Sequence, residues 1–415
     1  MVRAVKLGSM APGLNNRLPP TQLARTLPDR SKATFLYAGE NIDITGRGYL
    51  KRREGFAAER RAPATHSVWG DETEGYCAAG NDLLHLVPTE SGLAASVVLS
   101  GLPELQPISY ARMPDGDVIW SNGFDIGRLR GASALLLGTL RPAVAPGAAL
   151  TTGALAKGRY QVAFTELGPL GESGSTVPVV VDVPADGGGI ALSGQGPDTQ
   201  VYVTGPNGSI FNRIDTDGDI VSLANTGAPL ADLMMADMPP GSIVRHYKGS
   251  LLVANGPYLF FSEPYYYALY KPSKGYIPFP APITVVEPCE TGVFVCADRA
   301  YWLAGALLDT QPAVVQPYGG LPGSGGSMRT SDGDQATTMA FWLSPRGLVI
   351  GTPNGAAANV QESALKFGAA SAGATLFREQ DGANHILAAR QDAARPFAAS
   401  AAFPAIESIV KGTEP

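Results

Sequence analysis

Glycine and proline interrupt this chain so evenly that no stretch is left for a long helix. There are 50 Gly and 34 Pro in 415 residues, scattered along the whole length instead of pooled in one tract. Between them lie short apolar runs rich in Val, Ile, Tyr and Phe, bounded by Asn, Asp, Gly and Pro. Runs of that kind read as strands joined by tight turns, and a long series of them reads as an all-β chain. Charged residues make up 16% of the sequence, below the roughly 25% of an average domain, whereas the 45% hydrophobic content is ample for a core.

One strand–turn–strand unit recurs. It runs His66 to Val87 with a turn at Asn81-Asp82, and Ile108 to Leu129 with turns at Asp115-Gly116 and Asn122-Gly123. It returns at Ile243 to Phe261 (turn Asn255-Gly256), Ile283 to Leu303 (turns Glu290-Thr291-Gly292 and Asp298-Arg299), Ala336 to Ile350 (turn Pro345-Arg346-Gly347) and Ala374 to Ala388 (turn Asp381-Gly382). Neighbouring units start roughly 40 to 50 residues apart, the period of propeller blades. About six units are present, which predicts a β-propeller of about six blades. A β-sandwich made from the same hairpins is the competing architecture. The ring is preferred because one such unit buries too little apolar area by itself, and radial stacking protects the strand edges.

The period breaks between Arg130 and Gly241. Within 141–236 the sequence carries its own signature, GxYxVxFT over Gly158 to Thr165 followed by Gly171-Glu172-Ser173, then strands at Val177 to Val183, Gln200 to Thr204 and Ile210 to Ile214. Five or six strands in about ninety residues is the size of one small sandwich. The pattern reads as an immunoglobulin-like or fibronectin-III-like inserted module. The expected organisation is an extended arm at 1–33, a first propeller part at 34–140, the inserted domain at 141–236 and a second propeller part at 237–415.

Little in the sequence points to chemistry. His66, His85, His246 and His385 lie far apart and fall in no metal-ligand spacing, and no nucleophile elbow, P-loop or zincin motif occurs. Asp215-Thr216-Asp217-Gly218-Asp219 offers carboxylates to a cation, but the EF-hand order fails, with Thr226 where the closing Glu belongs; an acidic turn is the better reading. Arg112, Arg128, Arg299, Arg329 and Arg346 lie near turns without the repeated box of sialidase-like propellers, and no paired-carboxylate arrangement supports a glycosidase. No enzyme, cofactor or metal is therefore expected. Cys77, Cys289 and Cys296 form no even framework; free, buried thiols are expected, and a cross-strand disulfide between Cys289 and Cys296, seven apart across a hairpin, is the alternative. No run reaches the roughly 18 apolar residues of a membrane span, and no signal peptide is expected. A net charge of −6 does not fit a protein that grips DNA over a wide area.

Two segments carry more information. Glu40 to Phe56 reads as a hairpin with a basic edge containing Arg47, Arg52 and Arg53. Tyr258 to Tyr270 reads as a strand stopped at Ser262-Glu263-Pro264, followed by Tyr265, Tyr266, Tyr267 and Tyr270 on a loop, a composition common in protein interfaces.

These segments, "ENIDITGRGYLKRREGF" and "LLVANGPYLFFSEPYYYALYKPSKGYIPFP", together with "GLNNRLPPTQL" near the start, resemble the tail hub or nozzle proteins of short-tailed bacteriophages. That family is also described as tail tubular protein B or packaged-DNA stabilisation protein. It shows an NxDxxxxGxxxRRxGF hairpin and a (V/I)xFSEP step. The resemblance implies a propeller-based virion subunit, made in the host cytoplasm and assembled as a homo-hexameric ring below the portal and adaptor. Such a ring passes double-stranded DNA without reading its sequence, retains the packaged genome, and carries fibres or spikes. Asn15, Asn16, Arg17, Arg47, Arg52, Arg53, Tyr265, Tyr266, Tyr267 and Tyr270 are the expected partner-interface residues. A monomeric adhesin or carbohydrate-binding propeller is the alternative.

Overall fold

A computed structural model of the chain describes residues 9–10, 12–26, 32–39, 42–44, 49–52, 64–90, 92–142, 144–216, 218–332, 335–380 and 383–392. Among them the fold is all-β; the helical elements are two single 3-10 turns, Pro20–Gln22 and Leu307–Asp309. No helix among the described residues is long and apolar enough to cross a membrane. The chain forms two compact units, one from Met1–Pro107 with Pro280–Pro415, the other from Ile108–Phe279.

The first unit holds three four-stranded antiparallel sheets, each with its strands in chain order. The 65–100 sheet comprises Thr65–Gly70, Gly75–Ala79, Asp82–Thr89 and Gly92–Ser100. The 285–316 sheet comprises Val285–Cys289, Gly292–Cys296, Ala300–Ala304 and Ala313–Gln316, and the 326–359 sheet comprises Gly326–Asp332, Gln335–Ser344, Gly347–Gly351 and Ala357–Asn359. The predicted unit near Ala374 is a two-stranded hairpin, Ala370–Gln380 with Ala383–Asp392. The expected hairpin of the basic segment forms from Ile42–Ile44 and Leu50–Arg52, with Asp43 opposite Lys51.

The 65–100 sheet gathers Cys77, Leu84 and Leu86 in a cluster of its own, whereas the 285–316 and 326–359 sheets are joined by one core. Phe294 and Trp302 of the 285–316 sheet and Trp342 of the 326–359 sheet sit in one buried cluster, with ring centroids 4.5 Å apart for Phe294–Trp302 and 5.3 Å for Phe294–Trp342. Gly351 makes this possible, because a Cβ there would stand 2.5 Å from the Phe294 ring. On its other side the 326–359 sheet packs through Phe341 and Leu343 onto Phe377 and Ile386 of the 370–392 hairpin. Cys289 and Cys296 are buried and free. The register sets Cys289 opposite Gly292 and Cys296 opposite Val285, four rows apart and so about 13 Å along the strands. This separation rules out a disulfide between them in this fold. Burial pushes the Cys289 thiol up to about 12 and raises that of Cys296 as well.

In the second unit, the 109–136 sheet (Ser109–Arg112, Val118–Ser121, Ile126–Arg130, Ser133–Leu136) and the 243–278 sheet (Ile243–Tyr247, Ser250–Asn255, Tyr258–Phe261, Tyr276–Pro278) share a core. Ile119 and Met113 from one meet Val244, Leu251 and Val253 from the other. The Ser109 hydroxyl accepts from Val244 N at 3.0 Å, and the Ser121 hydroxyl accepts from Gly241 N at 2.9 Å. Between them in sequence lies a two-sheet module. Gly147–Leu155 pairs with Gly188–Ser193, while Gly158–Gly168 is flanked by Val179–Val183 and Thr199–Thr204, continuing to Phe211–Ile214 and Thr226–Pro229. Leu155 and Ile190 of the first sheet and Tyr160, Val162, Phe164 and Val203 of the second fill one core. The second compact unit thus runs beyond both ends of the inserted segment, because the flanking sheets bury their apolar faces on each other.

Removing the ring at the centre of the sheet-to-sheet core should be severe. Phe294→Ala is expected to lower stability by about 3–5 kcal/mol, read from the urea midpoint; a loss below about 1 kcal/mol would mean that the two sheets do not depend on this contact.

Candidate interaction surface

The strand Tyr258–Phe261 alternates: Leu259 and Phe261 are buried on one face, and Tyr258 and Phe260 point to the other. The edge strand Tyr276–Pro278 pairs with it so that Phe260 faces Tyr276 and Tyr258 faces Pro278. Period-2 alternation therefore collects aromatic rings on one side of the sheet edge. Tyr258 and Tyr276 lie edge to face at 5.9 Å, Phe260 and Tyr270 edge to face at 5.2 Å, and Phe260 sits 6.1 Å from both Tyr258 and Tyr276. Phe260 and Tyr270 lean on the buried core, whereas Tyr258 and Tyr276 are 43% and 41% exposed. The strip is thus anchored at one end and open to solvent at the other. Pro278 on the outer strand has no N–H to offer, which blunts edge pairing by another sheet.

The Ser262-Glu263-Pro264 step turns the chain away from this strand. The Ser262 hydroxyl accepts from Leu251 N at 2.9 Å and donates to the Glu263 carbonyl at 2.9 Å. The Glu263 carboxylate accepts from Lys271 Nζ at 3.0 Å. Tyr265 follows in the left-handed region at φ 65°, with its N–H donating to Gly249 O at 2.7 Å. Its ring lies over Gly249, where a Cβ would come within 3.2 Å of it, and Gly249 itself has φ +81°. Tyr265 is 76% exposed, and Tyr266 is also exposed.

The structure divides the predicted tyrosines. Tyr265 and Tyr266 face solvent, Tyr270 belongs to the ring strip, and Tyr267 is buried in the core shared by the 109–136 and 243–278 sheets, edge-on to His246 at 6.3 Å. Burial raises the Tyr267 hydroxyl pKa, in keeping with an interior role. Tyr258 and Tyr276 are the surface residues that sequence reasoning missed; their signal was the strand alternation around Leu259 and Ile277.

The N-terminal candidates serve the chain itself. Asn15 is buried, and its Oδ1 accepts from Arg17 N at 3.0 Å and Leu18 N at 3.1 Å, an Asx turn. Asn16 clasps Lys366: its Nδ2 donates to Lys366 O at 3.0 Å, and its Oδ1 accepts from Lys366 N at 2.6 Å. Arg17 Nε donates to Leu365 O at 3.1 Å. The 361–368 segment is the shared anchor, since Glu362 also accepts from Arg346 at 3.0 Å and from Tyr318 at 3.1 Å, while Arg390 donates to Gly368 O at 3.1 Å. Arg52 is exposed on its hairpin; Arg47 and Arg53 lie outside the described residues.

Four of the arginines considered for a glycosidase have partners within the chain, Arg112 donating to Gly116 O. Arg128 bonds Asp115 and Asp117, Arg299 lies 3.7 Å from Asp298, and Arg346 meets Glu362. Burial pushes the Asp117 pKa up, but hydrogen bonds from Arg130 and Arg128 outweigh it and hold that carboxyl below its ordinary value. No cluster of three or more His, Cys, Asp or Glu able to hold a metal occurs among the described residues. In the acidic turn, Asp215 pairs with Arg213 at 3.0 Å and Asp219 accepts from Leu192 N at 3.2 Å; Asp217 lies outside the described residues.

No protein-family model matches the chain, and neither does any curated protein. Among solved structures it is similar to a chain of the crystal structure of BBS1N in complex with ARL6DN, soaked with lead. That similarity has 11% identity and a TM-score of 0.34, covering 81% of this chain and 92% of that one. It is also similar to PorZ, a bacterial surface component of the type-IX secretion system of Porphyromonas gingivalis. There the identity is 10% and the TM-score 0.17, covering 70% of this chain and 46% of that one.

The clasp makes a direct prediction. Asn16→Ala should cost about 1 kcal/mol in urea unfolding, the scale of net hydrogen bonds at an accessible site. It should also expose the 9–18 arm to limited proteolysis. An unchanged digestion pattern would show that Asn16 does not hold the arm.

Proposed function

We propose that this chain is a structural subunit of a bacteriophage tail hub or nozzle. In this reading the five four-stranded sheets and the 370–392 hairpin are blades of one propeller, and the 147–229 module is an immunoglobulin-like insertion on its outside. The subunit assembles as a homo-hexameric ring below the portal and adaptor, continues the DNA channel, and supports fibres or spikes.

The observation that carries the reading is the rigid aromatic edge of the 243–278 sheet. Tyr258 and Tyr276 present half-exposed rings from hydrogen-bonded strands, and Tyr265 and Tyr266 project from the fixed turn after Phe261, where Tyr265 lies over Gly249, at the end of the strand Ser250–Asn255 opposite to the one that pairs with Tyr258. Tyrosines held in place this way lose little entropy on docking and bury large area with a hydroxyl still able to bond, as permanent interfaces require. The roles of the matched motifs agree. Asn16 and the Ser262-Glu263 step bond backbone and hold architecture, which fits a family whose motifs are structural rather than catalytic. The same exposed rings favour one second reading, a glycan-binding propeller, because a sugar ring can stack on a tyrosine face.

Light scattering of the purified chain, alone and mixed with portal and adaptor proteins of a short-tailed phage, separates the two. A hub gives a ring or is recruited; a glycan binder stays monomeric and is retained on a glycan surface. The Tyr258→Ala, Tyr276→Ala pair should abolish assembly while changing urea stability by less than about 1 kcal/mol, as expected for surface positions. Assembly that survives the pair would overturn the assignment of this edge as the interface.

A further inference from the structure

Gly249 is gripped from two sides where the tyrosine turn meets the 243–278 sheet. With Lys248 it forms the two-residue loop between Ile243–Tyr247 and Ser250–Asn255, across which Tyr247 faces Ser250. Both loop residues are left-handed, Lys248 at φ 45° and Gly249 at φ +81°, as a primed hairpin turn requires. Glycine adopts that backbone freely, whereas lysine is strained in it.

A side chain holds the loop. Gly249 N donates to His246 Nε2 at 3.2 Å. On the other side Gly249 O accepts from Tyr265 N at 2.7 Å, and the Tyr265 ring covers the glycine. Tyr265 is itself left-handed, so its pose depends on this contact. The base of the turn is fixed separately: Ser262 N donates to Leu251 O at 2.9 Å, the Ser262 hydroxyl accepts from Leu251 N at 2.9 Å, and Lys271 bonds Glu263 at 3.0 Å. The exposed tip at Tyr265 and Tyr266 thus leans on Gly249, and its base does not.

A backbone N–H can only donate, so the imidazole nitrogen facing Gly249 must be an unprotonated acceptor. His246 is therefore neutral, with its hydrogen on Nδ1. The next proton it takes lands on Nε2, head-on to the Gly249 N–H. We infer that protonation of His246 unlatches the Lys248–Gly249 loop and releases the Tyr265–Tyr266 tip, an acid-sensitive latch built into this turn. Strain at Lys248 and Tyr265 favours release once the bond is lost. The latch belongs to the free chain; only its use in regulating docking rests on the interface reading given above.

The groups around His246 suit the neutral form. It is half-buried, edge-on to Tyr267 at 6.3 Å and opposite Leu251 in the sheet. Burial lowers its pKa from the ordinary 6.5, and the charge of Asp115 on the 109–136 sheet, a carboxylate bonded by Arg128 at 3.0 Å, works the other way and is outweighed. On its own strand and loop the charged neighbours are cations: Arg245 bonds the Ser109 hydroxyl at 3.2 Å, and Lys248 Nζ lies 5.3 Å from the centre of the Tyr247 ring. With the folded value lowered, the contribution of His246 is fully present above about pH 6.5 and is lost as pH falls through the folded value below it.

Hydrogen–deuterium exchange of the full chain, read by mass spectrometry on peptides covering 246–251 and 263–268, tests the latch. After correction for the intrinsic pH dependence of exchange, protection in both should fall at least about fivefold between about pH 7.5 and about pH 4.5, the factor that matches one net hydrogen bond. The Val118–Ser121 strand should keep its protection. His246→Gln cannot titrate, so whether or not its amide reaches Gly249, exchange at the two peptides should no longer depend on pH. Wild-type protection that persists to about pH 4.5 would overturn the inference. An equal acid-induced loss in His246→Gln would do so as well, because it would assign the response to another group. Acid release in a chain that never assembles would support the latch and count against the interface reading alone.

Discussion

Four of the four-stranded sheets bury their apolar faces on a neighbouring sheet instead of alone, and much of the structure follows from that. The 285–316 and 326–359 sheets share Phe294, Trp302 and Trp342, while the 109–136 and 243–278 sheets share Ile119, Val244 and Leu251. Aromatic rings can bridge sheets only where the facing backbone gives way. Gly351 lies under Phe294, and Gly355 lies against the Trp302 indole, where a Cβ would stand 2.5 Å from Nε1. Part of the glycine content thus serves inter-sheet packing and not turns alone.

The same dependence explains how motif residues are used. The Ser262-Glu263 step exchanges backbone bonds with Leu251 through a serine hydroxyl and fixes Glu263 on Lys271. From that point the tyrosines fan out: one enters the core, one joins the ring strip, and two remain in solvent. Three consecutive tyrosines differ in fate because the turn rotates each side chain to a new direction, while Tyr265 is held in the left-handed region by its bond to Gly249. At the other end of the sequence, Asn16 and Arg17 spend their polar groups on backbone atoms 348 to 350 residues away. That contact joins the arm to the 361–368 segment within one compact unit.

Buried charge is treated in two ways. Asp117 is surrounded by Arg128 and Arg130, so that its burial is outweighed and its carboxyl stays ionised. At Asp232 no guanidinium offsets burial, which together with the charge of Glu172 pushes its pKa up to about 7. Both residues are 2% exposed; the difference lies in what faces them.

Sequence alone determined the all-β class, the recurring strand–turn–strand unit and most turns, because alternation and Asn-Gly or Asp-Gly steps act over a few residues. It grouped Tyr265, Tyr266, Tyr267 and Tyr270 on one loop as expected partner-interface residues, and could not separate the buried Tyr267 from the exposed Tyr265 and Tyr266. Only the tertiary structure decided that Asn15, Asn16 and Arg17 bond their own chain, that Cys289 and Cys296 sit four rows apart, and that Tyr258 and Tyr276 complete the aromatic edge. Each of these outcomes depends on strand register or on contacts between residues far apart in sequence, and local pattern carries no information about which distant partner will arrive.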